Sequence, residues 1–114
     1  MKNNFLGDSQ KIHFVGIGGI GVSALAQIMA AQGKSISGSD QETSTITEHL
    51  EKSGMRIMRG HKPANIDCAD LVIHSLAISK SNPELTEARR KEVPVLTYPQ
   101  AVGELTQKFF TIAV

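Results

Sequence analysis

The stretch His13-Phe14-Val15-Gly16-Ile17-Gly18-Gly19-Ile20-Gly21-Val22-Ser23 decides the fold of this 114-residue chain. Lys11 to Val15 is a short β-prone run that stops at a glycine. Beyond it Val22, Leu25, Ala26 and Met29 recur at helical spacing until Gly33. Strand, tight turn and helix in that order put Gly16, Gly18 and Gly21 in the GxGxxG spacing of dinucleotide-type folds. Gly16 permits the turn, Gly18 removes a Cβ from the path of a phosphate, and Gly21 lets the helix pack closely on the strand. Gly19 adds another bare backbone position. A helix beginning near Ile20 offers unpaired N–H groups and the positive end of its dipole, worth about 0.3–1 kcal/mol toward an anion at an exposed site. The loop therefore reads as a phosphate site that needs no lysine.

Outward from the loop, the pattern repeats. Ser35 to Ser37 predicts a second strand with Asp40 at its end, and a helix follows over Thr45 to Lys52, with Thr45 and Glu48 spaced as a capping box and Gly54 just past the end. Arg56 to Arg59 alternates charged and apolar residues like a strand near a sheet edge, whereas Leu71 to Ile73 is uniformly apolar like a central one. Asn82, Pro83 and Glu84 supply a cap, a first-turn proline and an acid suited to a helix N-terminus, for a helix reaching about Lys91. Val93 to Leu96 predicts a fifth strand, and Pro99 opens a short helix to about Gln107. Strands alternating with helices predict an α/β fold: a Rossmann-like, doubly wound, mainly parallel five-stranded sheet with helices on both faces.

The dinucleotide geometry nominates further residues. Asp40 follows Gly21 at close to the ~20-residue offset at which an acid meets a ribose. Ligands in open α/β sheets bind outside the carboxyl ends of the strands where strand order reverses, so the end of the fourth strand, with His74, Ser75, Leu76 and Ala77, is expected to face the glycine loop. Ser75 can donate and accept hydrogen bonds to a base or hydroxyl. Such a site also describes an NAD(P)-binding domain of an oxidoreductase or redox sensor, and that alternative stays open here.

Composition narrows the classes. Twelve Lys and Arg against eleven Asp and Glu leave a formal charge of +1, so no global field points to nucleic acid or to an anionic membrane. No segment approaches the ~20 apolar residues of a membrane span. Cys68, the single cysteine, fits a reducing compartment, and the cytoplasm is the expected location. His13, His49, His61 and His74 are scattered, and no CxxC or HExxH pattern occurs, so no metal site is expected. No GxxxxGK[ST] loop is present for ATP. Residues 1–114 read as one domain, and Phe109 to Val114 reads as a buried strand that simply stops, as in a fragment of a longer protein.

The run from His13 to Ser23, followed by Ser37-Gly38-Ser39-Asp40, Val72-Ile73-His74-Ser75-Leu76-Ala77-Ile78, Asn82-Pro83-Glu84 and Val93-Pro94-Val95-Leu96, resembles the N-terminal domain of the Mur ligase family over nearly the whole chain. The likeness is to the members that add L-alanine to UDP-N-acetylmuramate, and Thr111-Ile112-Ala113-Val114 is similar to the strand leading into the family's central ATPase domain. The resemblance implies that Gly16, Gly18, Gly19, Ile20 and Gly21 hold the UDP diphosphate and that Ser39, Asp40, Ser75 and Ala77 lie about the uridine. It also implies that ATP, Mg2+ and L-alanine are handled by central and C-terminal domains absent here, leaving no catalytic residue in these 114. Leu76 and Tyr98-Pro99-Gln100-Ala101 depart from the commonest family form and are assigned no ligand role.

Overall fold

The computed structural model describes residues 4–113, with side chains described for residues 4–107. The elements run α1 (Phe5–Asp8), β1 (Lys11–Val15), α2 (Ile20–Ala31), β2 (Ser35–Asp40), α3 (Thr45–Lys52), β3 (Arg56–Arg59), a 3-10 turn (Pro63–Ile66), β4 (Leu71–His74), α4 (Pro83–Arg90), β5 (Val95–Thr97) and α5 (Tyr98–Ala113). The five strands form one sheet in the order β3-β2-β1-β4-β5, and each neighbouring pair is parallel. This is the expected Rossmann-like architecture, with β3 at an edge and β4 inside.

Strand period 2 sorts the core onto two faces. Ile12 and Phe14 of β1 join Ile36, Leu71, Ile73 and Leu96 beneath Leu6 of α1, Val22, Leu25, Ala26 and Met29 of α2, Leu50 of α3 and Ala101 of α5. On the other face, Val15 and Val72 meet Leu85 and Ala88 of α4 and Ile66 of the 3-10 turn, with partly buried Ala69, Ile78, Val93 and Val95 packed against them. That second apolar cluster is smaller because polar side chains occupy part of its face: His13, Ser39 and Glu84 are all fully buried.

Several boundaries differ from expectation for identifiable reasons. The α3 capping box is Ser44 with Thr47, one residue earlier than predicted: Ser44 Oγ accepts from Thr47 N at 3.2 Å, and Thr47 Oγ1 accepts from Ser44 N at 2.8 Å. β2 continues to Asp40 because β3 pairs with it as far as Asp40↔Arg59. β5 starts at Val95 rather than Val93, since the Val93 N–H closes the end of α4 on Ala88 O at 2.8 Å, after Glu92 turns with φ 60°. The strand expected over Phe109–Val114 is helix as far as Ala113, and Val114 lies outside the described residues. A strand needs a neighbour to satisfy its backbone, whereas an established helix extends one bond per residue. α1 has no sequence period to betray it: Lys34 Nζ donates to Gly7 O and Ser9 O, and Leu6 N donates to Glu104 Oε1 of α5. No helix among the described residues is long and apolar enough to cross a membrane.

Candidate functional site

The glycine loop is held by backbone hydrogen bonds to the end of β2. Gly16, at φ +81°, and Ile17 both donate to Ser39 O, at 2.9 and 3.1 Å, and Gly19 N closes the turn on Gly16 O at 3.2 Å. Gly18 N donates to Asp40 Oδ2 at 2.9 Å, while Asp40 Oδ1 accepts from Glu42 N at 3.2 Å. A Cβ on Gly18 would stand 2.8 Å from Asp40 Oδ2, so the absence of a side chain there is required by the acid as well as by any ligand. On Gly21 a Cβ would stand 2.7 Å from the Tyr98 hydroxyl. The close packing expected at Gly21 is thus against α5, not against the strand. α2 has Gly19 at its N-cap with no side-chain cap, and its first backward bond is Ser23 N to Gly19 O at 2.8 Å. The N–H groups of Ile20, Gly21 and Val22 therefore have no partner within the helix.

β4 lies beside β1, and Ser75 N continues their ladder by donating to Val15 O at 3.1 Å. Ser75 Oγ accepts from Ala77 N at 3.0 Å, and Ile78 N returns to Ser75 O at 3.2 Å, which turns the chain toward α4. His74 Nδ1 is 2.9 Å from Ser75 O and donates to it, so that ring is engaged locally. Between this turn and the glycine loop lies a cleft of about 620 Å³ lined by Gly16, Gly19, Asp40, His61, Ser75 and Ala77 among others. Strand order reverses between β1 and β4, the place where open α/β sheets form their ligand crevice. Of the residues nominated from sequence, Gly18, Ile20 and Gly21 belong to the adjoining loop and helix start and His74 and Leu76 flank Ser75, while Gly16, Gly19, Asp40, Ser75 and Ala77 line the cleft. Ser39 does not: its side chain is fully buried below the cleft floor. Ile20 and Leu76 expose large apolar side chains nearby, at 82% and 70%.

Beneath the cleft is a polar knot that sequence reasoning missed. Glu84, the acid expected at a helix N-terminus, is there in the first turn of α4 and turns its carboxylate inward. Oε1 accepts from His13 Nε2 at 2.5 Å and from Ser39 Oγ at 2.8 Å. Oε2 accepts from Asn65 Nδ2 at 2.9 Å, from the Lys62 backbone N–H at 3.1 Å and from His61 Nδ1 at 3.3 Å. Burial pushes the carboxyl pKa upward, but the hydrogen bond and charge of His13, with hydrogen bonds from Asn65 and Ser39, outweigh it and hold the group below its ordinary range. His13 and His61, scattered in the sequence, are brought together on Glu84. The available signal was the serine row Ser35, Ser37 and Ser39 on alternate positions of an inner strand, which demands polar company on one face of the sheet. Among the described residues, no three His, Cys, Asp or Glu side chains are grouped to hold a metal ion.

Residues 11–110 match the model described as Mur ligase family, catalytic domain. The chain belongs to the Mur ligase family. Within that family it is 46% identical over 103 residues to UDP-N-acetylmuramate–L-alanine ligase of Syntrophus aciditrophicus, covering 90% of this chain and 22% of that one. The enzyme of the same name from Clostridium botulinum (strain Hall) is 41% identical over 116 residues, covering 100% of this chain and 25% of its own. Among solved structures, UDP-N-acetylmuramate-alanine ligase from Thermotoga maritima superposes with a TM-score of 0.83 at 38% identity, over 86% of this chain and 23% of that one. Yeast methylglyoxal/isovaleraldehyde reductase complexed with NADPH reaches a TM-score of 0.56 at 12% identity, over 76% of this chain and 37% of that one, a likeness of fold alone. This Mur ligase chain spans about a quarter or less of the length of the curated relatives it matches.

Proposed function

We propose that this chain is the UDP-sugar-binding, N-terminal domain of a ligase that joins L-alanine to UDP-N-acetylmuramate in peptidoglycan precursor synthesis. The observation that carries the reading is the uncapped N-terminus of α2, beside the cleft at the reversal of strand order. Unpartnered N–H groups and the helix dipole favour a diphosphate there, and a cleft of about 620 Å³ is in the size range of small-molecule sites. In this reading Gly16, Gly18, Gly19, Ile20 and Gly21 meet the diphosphate through their backbone. Asp40, Ser75 and Ala77 border the nucleoside, and Ser39 supports the loop from below.

The relatives named for alanine ligation supply the substrate. In the complete enzyme, as the family resemblance implies, ATP and Mg2+ would be held by other domains and would supply the activation by which the lactyl carboxylate is joined to the amine of L-alanine, with ADP and phosphate released. The residues here do not fit ATP: the glycine loop has no lysine, and no P-loop spacing occurs. The role of this domain is therefore to bind and orient one end of the substrate for machinery elsewhere in a longer chain, in a cytoplasmic setting where the lone Cys68 stays reduced.

Calorimetric titration with UDP-N-acetylmuramate, UDP and NADH in parallel tests the reading. Heat from the two uridine compounds and none from NADH is expected. Binding of NADH alone would overturn it.

A further inference from the structure

His61 borders the cleft while its Nδ1 faces the polar knot, 2.9 Å from Ser39 Oγ and 3.3 Å from Glu84 Oε2. The Ser39 hydroxyl has one hydrogen, and it is committed to Glu84 Oε1 at 2.8 Å. Ser39 Oγ and Glu84 Oε2 can then face His61 only as acceptors, so Nδ1 must carry the proton. In a neutral imidazole the other nitrogen, Nε2, is left as an acceptor. Nε2 has no hydrogen-bond partner among the described residues, and no buried side-chain nitrogen or oxygen among them lacks one, so Nε2 reaches solvent. Among the described residues, Glu84 of α4 is the acid hydrogen-bonded to the ring and Asp40 and Glu42 are the acids that line the cleft with it, while His13 of β1 is hydrogen-bonded to Glu84 and not to the ring. None of these donates a proton to Nε2.

We propose that Glu84 is a positioning residue that locks His61 in the Nδ1–H tautomer, so that Nε2 meets the bound ligand as an acceptor and selects a hydroxyl or N–H donor rather than a phosphate oxygen. The lock follows from the geometry by itself; the identity of the ligand rests on the nucleotide-sugar reading above. A donor of this kind exists both on the nucleoside and on the sugar. The lone pair of Nε2 repels the phosphates, which helps keep them at the N-terminus of α2.

Long-range proton–nitrogen correlation spectra of the histidine rings, recorded at about pH 8, above the ordinary imidazole value of about 6.5, test the lock. His61 is expected as Nδ1–H. In Glu84→Gln the amide oxygen stays toward the Lys62 and Asn65 donors and its N–H groups face His13 and Ser39; the Ser39 hydrogen is then free to donate to His61 Nδ1, and the ring is expected to move its proton to Nε2. His61→Asn keeps a donor in the place of Nδ1 and has nothing at Nε2, so it covers the case in which Glu84→Gln does not fold. It is expected to fold normally and to bind UDP-N-acetylmuramate roughly three- to tenfold more weakly, the loss of one neutral hydrogen bond.

Ligand added to the unaltered chain is expected to shift the Nε2 signal of His61 and not that of His13. A shift already present with UDP places the donor on the nucleoside, and one seen only with UDP-N-acetylmuramate places it on the sugar. His61 found as Nε2–H overturns the lock. A calorimetrically bound uridine ligand that leaves Nε2 unmoved, an equal shift from inorganic diphosphate alone, or unweakened binding by His61→Asn overturns the contact. Calorimetric silence with both uridine ligands counts against the nucleotide-sugar reading instead, and the tautomer spectra still decide the lock.

Discussion

At the scale of single residues, Gly18 and Asp40 act as one unit. The loop spacing made Gly18 legible, but its hydrogen bond to Asp40 joins positions on different elements and had to be seen. Gly18→Ala puts a Cβ 2.8 Å from Asp40 Oδ2 and 3.3 Å from Thr47 Cγ2, so the acid is expected to swing away from the loop. The loss of that hydrogen bond costs about 0.5–1.5 kcal/mol. Uridine-ligand affinity is expected to fall by more than stability does, which calorimetry and urea unfolding of the same variant can compare. Glu84 makes a separate prediction. Its folded-state pKa lies below the ordinary 4.5, so between those two values the folded chain binds fewer protons than the unfolded one. The stability it contributes is complete above about pH 4.5 and is lost as pH falls through the depressed value. Urea midpoints measured down that range should drop for the unaltered chain, and the part of the drop due to Glu84 should vanish in Glu84→Gln.

At the scale of elements, helix ends were read nearly right, and the errors are informative. Ser44 and Thr45 are adjacent hydroxyl residues, either able to cap α3; the one with extended backbone, Ser44 at φ −141° and ψ 172°, does so. Ser44→Ala is expected to cost about 1 kcal/mol, and Thr45→Ala much less, in a thermal or urea melt. A reversed order would assign the cap to Thr45. α5 begins directly after β5 through a reciprocal pair: Thr97 N donates to Gln100 Oε1 at 2.8 Å, and Gln100 N donates to Thr97 Oγ1 at 3.2 Å. Tyr98, left without a ligand role by its sequence, fills the space beside Gly21 and ties α5 to α2. The apolar run after Gln107 resembles a strand in composition, yet composition cannot show whether a partner strand is at hand.

At the scale of the whole molecule, ligand binding and folding are linked. A ligand that binds only the folded chain adds about 2.7 kcal/mol at a hundred times its Kd. For a domain of this size that corresponds to a rise in Tm of roughly 10–20 °C. A thermal scan with UDP-N-acetylmuramate should show it, and NADH at the same concentration should not. An unchanged Tm alongside a calorimetric Kd in the micromolar range would contradict linkage through the folded site.

The alternation of strands and helices, the parallel sheet and the glycine loop were determined by sequence alone. Each rests on interactions within a few residues: hydrophobic period, a turn that only glycine tolerates, a helix N-terminus left uncapped. Only the tertiary structure decided the company kept by polar residues. His13, Ser39, His61 and Glu84 come from β1, β2, the loop after β3 and α4, with His13 and Glu84 separated by 71 positions, and their meeting depends on strand register and on where α4 lands. Local pattern tells a residue which face it occupies. What waits there is set by the packing of elements distant in the chain, and a buried carboxylate cannot be told from a solvated one until its donors are in place.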